Sequence, residues 1–413
     1  MTETPQPSTA LDRCPACGSP HDPAASFCEA CGADLDSDPA AAADPAPAAD
    51  PSGGPVLAPA TPQTAPAGEE SPLDVGWTGP VATASGPAQT APAAEPCASC
   101  GEGVYVDGYC DHCGSPAPDP RDHFVEAPAS WVGGVCDIGQ RHTRNEDAMA
   151  LSAGEAPGSR AVLVVCDGVS MATDSHIASL AAAHAARDVL DQPLPRGAGT
   201  AQAWEAGAAR ALTRAVAEAN AAVRASVTTD SPNPPSCTLA AAIVEDHVVV
   251  AGNVGDSRTY WLPDAPAEQA QQLGRDDSFA QEQMLRGMGR AEAESGPYAH
   301  SITRWLGRDA PDDLTPHLVT VEVRSPGWLL VCSDGLWNYW SEAEEVRGLL
   351  HAALERVGDS PVKVAQALVD AANERGGRDN ITVALARVAG RGSMESTGTG
   401  ASALPQEGDP TNG

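Results

Sequence analysis

An α+β architecture, with mostly antiparallel sheets covered by helices, is predicted for residues 130–388 by three observations. Short apolar runs of strand length alternate with longer segments of helical periodicity. Adjacent strand runs are joined by short turns, as at Asp246-His247, and such turns favour antiparallel pairing. Two apolar runs, Val162-Leu163-Val164-Val165-Cys166 and Leu329-Leu330-Val331-Cys332-Ser333, end abruptly in Asp-Gly, at Asp167-Gly168 and Asp334-Gly335. Each reads as a buried strand delivering a carboxylate at its exposed end, with Gly permitting the tight turn that follows.

Taken in order, the chain begins with cysteines. Cys14, Cys17, Cys28 and Cys31 form C-x2-C-x10-C-x2-C, and Cys97, Cys100, Cys110 and Cys113 form C-x2-C-x9-C-x2-C, so residues 11–35 and 95–116 read as two copies of one small ribbon. Two C-x-x-C turns can close a tetrahedron of thiolates around one structural zinc ion. The alternative is a pair of disulfides, which the absence of a secretory leader disfavours. With four protein ligands such a zinc has no open position, so the ribbons are expected to dock rather than catalyse. Residues 36–94 are rich in Ala, Pro, Gly and Thr and contain no Lys, Arg or Cys. They cannot bury enough apolar surface to offset chain entropy and read as a disordered linker. Residues 117–129 read as a spacer.

Strands are expected over 132–138, 161–166, 238–244, 247–253, 257–262, 318–323, 328–333 and 381–387. Helices are expected over 174–190, 203–226, 341–356 and 361–374. In the first helix Ile177, Leu180, Ala181, His184 and Ala185 form the candidate buried face. Cys136, Cys166, Cys237 and Cys332 lie in apolar contexts and read as core residues. Residues 389–413 read as a disordered polar tail.

Composition narrows the partners. The formal net charge is −32 and Lys363 is the only lysine, which disfavours nucleic acid and anionic lipid as partners of the whole molecule. There is no run of 18 apolar residues, so no membrane span is expected, and the reading is cytoplasmic. No Gly-x-x-x-x-Gly-Lys-Ser/Thr loop and no Gly-rich cysteine loop ending in Arg occurs, which excludes those routes to phosphate chemistry.

What remains is a set of carboxylates at strand ends. Asn145-Glu146-Asp147 lies upstream of Asp167, and Asp379-Asn380 leads into the last strand. Gathered together, such groups repel one another unless hard divalent cations sit between them. The blocks Asn145-Glu146-Asp147, Cys166-Asp167-Gly168, Val254-Gly255-Asp256-Ser257-Arg258, Cys332-Ser333-Asp334-Gly335 and Asp379-Asn380 resemble, in order and rough spacing, those of the metal-dependent serine/threonine protein phosphatases, the PP2C-like family. The resemblance covers about residues 130–388.

The resemblance implies a four-layer αββα sandwich, two sheets face to face between two helical layers. It implies hydrolysis of phosphoserine or phosphothreonine by a water activated between two Mn2+ or Mg2+ ions, without a phospho-enzyme. Asp167 would bridge both ions with the Gly168 carbonyl as a further ligand, Asp334 and Asp379 would hold the first ion, Glu146 would serve the second, and Asp147 would orient the water shell. In Leu273-Gly274-Arg275-Asp276-Asp277-Ser278, Asp276 takes the position of a third-metal ligand and Asp277 that of the family's His. Asp256 reads as a turn residue capping backbone N–H groups, with Arg258 pairing nearby.

Two departures from the family pattern bear on the substrate. The family's phosphate-gripping Arg is replaced by His142, with Arg141 and Arg144 as neighbouring candidates, and His142 carries full charge only when protonated. After Asp167-Gly168, Ser170 and Met171 stand where relatives commonly have glycines. The expected partners are phosphoprotein substrates, with a Ser/Thr kinase or scaffold docked through the ribbons. Deleting residues 1–129 is expected to spare hydrolysis of small substrates. The rival reading is a catalytically weak or inactive phosphatase-like module that binds phosphoproteins.

Overall fold

The computed structural model describes residues 12–13, 20–21, 96–97, 99–170, 172–194, 201–226, 231–296 and 298–391. Cys14, Cys17, Cys28 and Cys31, the linker expected over 36–94, Met171 and residues 392–413 lie outside the described residues. The chain divides into two compact units, residues 1–117 and 118–413. In the first unit Asp12–Arg13 pairs with Pro20–His21, and Tyr105–Val106 pairs with Tyr109–Cys110 in a hairpin.

The second unit is built around two large sheets, beside a two-residue ladder of Ser236–Cys237 with Leu306–Gly307. The strands of the large sheets are β1 (His123–Ala129), β2 (Val132–Asp137), β3 (Ala148–Ala153), β4 (Ala161–Cys166), β5 (Leu239–Glu245), β6 (Val248–Val254), β7 (Arg258–Pro263), β8 (Gln271–Gln272), β9 (His317–Glu322), β10 (Gly327–Cys332) and β11 (Ile381–Val388). The five-stranded sheet has the order β9-β6-β5-β4-β3 and the six-stranded sheet the order β8-β7-β10-β11-β2-β1. Every ladder in both is antiparallel. The helices are α1 (Ser175–Leu190), α2 (Ala201–Ser226), α3 (Phe279–Leu285), α4 (Arg290–Glu294), α5 (Asp334–Trp337), α6 (Ala343–Val357) and α7 (Pro361–Glu374).

The alternation of side chains along each strand explains why the apolar runs are continuous. In β4, Leu163 and Val165 face the other sheet, while Val162, Val164 and Cys166 face α1 and α2. In β10, Leu329 and Val331 enter the layer between the sheets, while Trp328, Leu330 and Cys332 pack under α6 and α7. Both faces are therefore covered, and the four layers run helix, sheet, sheet, helix. No helix among the described residues is long and apolar enough to cross a membrane.

Two expectations are corrected and one strand is added. Residues 123–129 are not spacer but the edge strand β1, paired with β2. Its exposed residues alternate and it carries Pro128, which an edge position tolerates because it leaves one row of N–H groups unpaired. The buried face of α1 is not the larger apolar set: Ile177 and His184 are exposed, and Ser175, Ala178, Ser179, Ala182, Ala183, Ala186 and Leu190 are buried. Small residues there let α1 lie close to α2 and to the loop preceding β3. Finally β3 itself, Ala-Met-Ala-Leu-Ser-Ala, was not foreseen, because alanine is a helix former and only its burial on both faces makes it a strand.

Candidate functional site

Register brings the acidic residues together. Ala148 pairs with Cys166, which sets Asp147 beside Asp167 at the end of the five-stranded sheet. Cys332 pairs with Val383, which sets Asp334 near the start of β11, just after Asp379. The two sheets are then stitched at this end. Oδ2 of Asp147 accepts the hydroxyls of Ser333 (2.6 Å) and Thr382 (2.7 Å), both from the opposite sheet. Asn380 accepts the N–H of Glu146 at 2.8 Å and donates to the carbonyls of Ile138 and Arg144. Glu146 is further held by Ser175, whose hydroxyl donates to Oε1 at 2.7 Å, and by Ser179, which donates to its carbonyl. Ser175, Ser179, Ser333 and Thr382 escaped the sequence reading because a hydroxyl at a helix start or strand end is commonplace. Only the tertiary fold aims them.

Two glycines are fixed by close approach. A Cβ on Gly335 would sit 1.9 Å from the Asn380 carbonyl oxygen, and one on Gly168 would sit 2.6 Å from that of Glu146. The backbones that carry Asp334 and Asp379 therefore touch directly.

The electrostatics are those of crowded like charges. Burial pushes Asp147 up to about 7, against the hydroxyls of Ser333 and Thr382, and the nearby Asp334 adds to the rise. Burial also lifts Asp167 well above the usual carboxylate range, with Asp147, Asp334, Asp379 and Asp256 adding to it. Asp379 is raised by burial and then by Asp334 and Asp147. One oxygen of Asp334 accepts from Asn338 at 2.9 Å, but the other, Oδ1, is buried with no hydrogen-bond partner. An unpaired buried carboxylate oxygen amid like charges is costly unless a cation completes it. A donor set made only of oxygen suits Mg2+ or Mn2+.

The remaining candidates fall in different places. His142 Nε2 lies 3.2 Å from Asp379 Oδ1, and an Nη of Arg144 lies 2.7 Å from Glu146 Oε1. Arg141 is exposed. Asp276 departs from the expectation of a third-metal ligand. Both of its oxygens are engaged by the buried guanidinium of Arg258, at 2.6–3.1 Å, and Oδ1 also accepts from Gln272. Arg258 in turn stacks on Trp337, 3.6 Å from the ring centroid. Asp256, read from sequence as a capping residue, is the carboxylate that meets this charge cluster. Burial raises it well above the usual range, and Asp334 is the charge that adds most. Asp277 is structural: it accepts from the Gly255 N–H at 3.0 Å and pairs with His317 at 2.7 Å.

In the first unit, Cys97, Cys100, Cys110 and Cys113 bring their sulfurs within 4.8 Å of one another. The pairs Cys97–Cys113 and Cys100–Cys110 stand 3.7 Å apart. A disulfide would need about 2.05 Å. Four thiolates at about 2.3 Å from a central ion lie about 3.8 Å apart in a tetrahedron, so the cluster has the spacing of a four-thiolate metal site. The N–H groups of Ser99 and Cys113 point at the sulfurs of Cys97 and Cys110, both at 3.4 Å, and offset thiolate charge.

Comparison with known proteins places this arrangement. A sequence model described as Protein phosphatase 2C matches residues 139–371, more than half of the chain. Serine/threonine phosphatase stp of Listeria innocua is 33% identical over 156 residues, which are 37% of this chain and 57% of that protein. Protein phosphatase PhpP of Streptococcus pneumoniae is 34% identical over 150 residues, 36% of this chain and 56% of that protein. The chain thus spans a little over half the length of these curated relatives. The S. agalactiae serine/threonine phosphatase structure superposes with a TM-score of 0.50 at 25% identity, covering 64% of this chain and 100% of that one.

Proposed function

This chain belongs to the protein phosphatase 2C family, and from that premise we propose that it hydrolyses phosphoserine and phosphothreonine in protein substrates. The observation that carries the reading is the buried, unpartnered Oδ1 of Asp334 inside a ring of mutually repelling carboxylates. In this reading Asp167, the Gly168 carbonyl, Asp334, Asp379 and Glu146 hold two Mn2+ or Mg2+ ions. The ions supply an acidified water and positive charge against the phosphoryl oxygens.

The chain's own groups do the rest. Ser333 and Thr382 fix the Asp147 carboxylate, which orients the water shell, and Ser175 fixes Glu146. His142 and Arg144 stand at the carboxylates of Asp379 and Glu146, where they can steer a phosphate ester toward the site. Arg144 engages Glu146 through one nitrogen of a guanidinium that carries five donors, so it can grip a phosphoryl oxygen without releasing the carboxylate. Asp256, which faces Asp334, joins this acidic set, and Asp276 serves to hold Arg258.

The test is phosphate release from a phosphothreonine peptide with Mn2+, Mg2+ or chelator, for wild type and Asp334→Ala. Metal-dependent turnover that disappears in the variant is expected. Two bound divalent ions without any turnover would instead favour a phosphoprotein-binding module.

The ribbons extend the proposal. Each binds one Zn2+ and serves as a docking module for a kinase, scaffold or substrate, raising local substrate concentration. Metal analysis of the purified full-length protein should then find about two zinc ions per chain and about one in Cys110→Ser. An unchanged zinc content in that variant would remove the zinc assignment of the second ribbon.

A further inference from the structure

Arg121 lies ahead of the family-matched residues 139–371, yet it is bonded into the acidic site. A tight turn holds it there. Its N–H donates to Asp119 Oδ1 at 2.9 Å, and Asp119 and Asp122 bond to each other across the turn at 3.0 and 2.8 Å. The Asp122 carbonyl accepts the N–H of Ile138, which ties the turn to the end of β2. From this platform the guanidinium of Arg121 forks. One Nη donates to the Asp147 carbonyl at 2.6 Å and the other to the His176 carbonyl in the first turn of α1. The Arg121 carbonyl also accepts from the Asn145 side chain at 2.8 Å.

One side chain thus spans the two segments that together hold Glu146. The Asn145-Glu146-Asp147 loop carries it, and α1 supplies Ser175 and Ser179, which bind its carboxylate and its carbonyl. A planar guanidinium has its donors in a fixed fork, so bonding both carbonyls at once sets the distance between the two segments. An ammonium is a single point and cannot do so.

We infer that Arg121 is a positioning residue that sets the spacing between the Glu146 loop and the start of α1, and thereby the affinity of the divalent-ion position served by Glu146. The inference rests on the proposed phosphatase reading for the role of Glu146. It also assigns a function to chain that precedes the family-matched segment.

The experiment is calorimetric titration of full-length Arg121→Lys and Arg121→Ala with Mn2+ in the absence of substrate, alongside the Mn2+ dependence of phosphopeptide hydrolysis and the metal-free melting temperature. One Mn2+ ion is expected to bind roughly 10–100-fold more weakly in both variants while the other keeps its wild-type affinity. Saturating Mn2+ should restore most of kcat, with KM for the peptide unchanged. If Arg121→Ala does not fold, Arg121→Lys alone decides. Wild-type affinity for both ions in the folded variants overturns the inference. So does full rescue by Lys, which would make charge and not the fork the cause, and so does equal weakening at both positions, which would mark a general loss of packing. Should wild type bind Mn2+ without turning over peptide, the phosphatase reading fails while the calorimetric comparison still tests Arg121.

Discussion

Asp167→Asn will lower kcat for phosphopeptide hydrolysis by about 10³-fold or more, some 4 kcal/mol of transition-state stabilisation, and will raise the melting temperature of the chelator-treated protein. The two effects have one origin. Asp167 is half-buried among Asp147, Asp334, Asp379 and Asp256, all of which disfavour its charge. An amide keeps the shape and removes the charge, so the metal-free protein loses a repulsion while the site loses its central ligand. The sign of the pH dependence follows. Asp147 and Asp167 have folded-state pKa values raised above the ordinary range near 4, so the folded protein holds their protons more tightly than the unfolded chain. Their contribution to stability is greatest below that range; that of Asp147 is lost as pH rises through about 7, and that of Asp167 as pH rises through its own raised pKa. Metal-free wild type should therefore melt at progressively lower temperature from pH 4 to 7. Mn2+ should reverse the trend, since the ions replace the protons and bind only the folded state. The gain in Asp167→Asn should be larger at pH 7 than at pH 5. Calorimetric scans at both values, with chelator and with Mn2+, check this. A variant that melts below wild type at pH 7 in chelator would contradict a repulsive cluster.

Removing residues 1–117 will leave hydrolysis of a small phosphopeptide within about twofold of wild type, because the second unit keeps its own core. Removing residues 1–129 will not. That cut deletes β1, which pairs with β2 from His123 opposite Asp137 to Glu126 opposite Gly134. It deletes Glu126, whose Oε2 accepts the Leu151 N–H at 2.7 Å and so ties the six-stranded sheet to the five-stranded one. It also deletes Phe124, which packs against the layer between the sheets, and Arg121. At about 1 kcal/mol per net hydrogen bond, the bonds lost are worth several kcal/mol. That is a large part of the 5–15 kcal/mol typical of a domain. The shorter product should melt well below the longer one and hydrolyse peptide poorly even at saturating Mn2+. Equal melting temperatures and rates would return residues 118–129 to the status of spacer.

The contrast with the expectation that residues 1–129 are dispensable marks the limit of the sequence. The long apolar strands and Asp-Gly ends were legible because burial on both faces leaves a continuous Val, Leu and Cys signature, as in β4 and β10. An edge strand half open to solvent, interrupted by Glu126 and Pro128, leaves no such trace. The carboxylates were legible because they follow those strands in short blocks. Their supports were not, since Thr382 reaches Asp147 across 235 residues and Arg121 reaches it across 26. Asp276 shows the same limit from the other side. Its partner Arg258 lies 18 residues away, and nothing local announces that the pair will be buried together.

The contact at Gly335 has an evolutionary consequence. The Asn380 carbonyl occupies the place of a side chain at 335, so no residue with a Cβ fits there without moving the main chains that carry Asp334 and Asp379. A lineage adapting to a different cation would have to change the opposite wall, where Glu146 rests on the hydroxyls of Ser175 and Ser179 and its loop is tied to α1 by the Arg121 fork, supports that single mutations can lengthen, shorten or remove. Drift in ion preference among descendants of this chain should therefore be recorded at positions 121, 175 and 179, with 335 held constant.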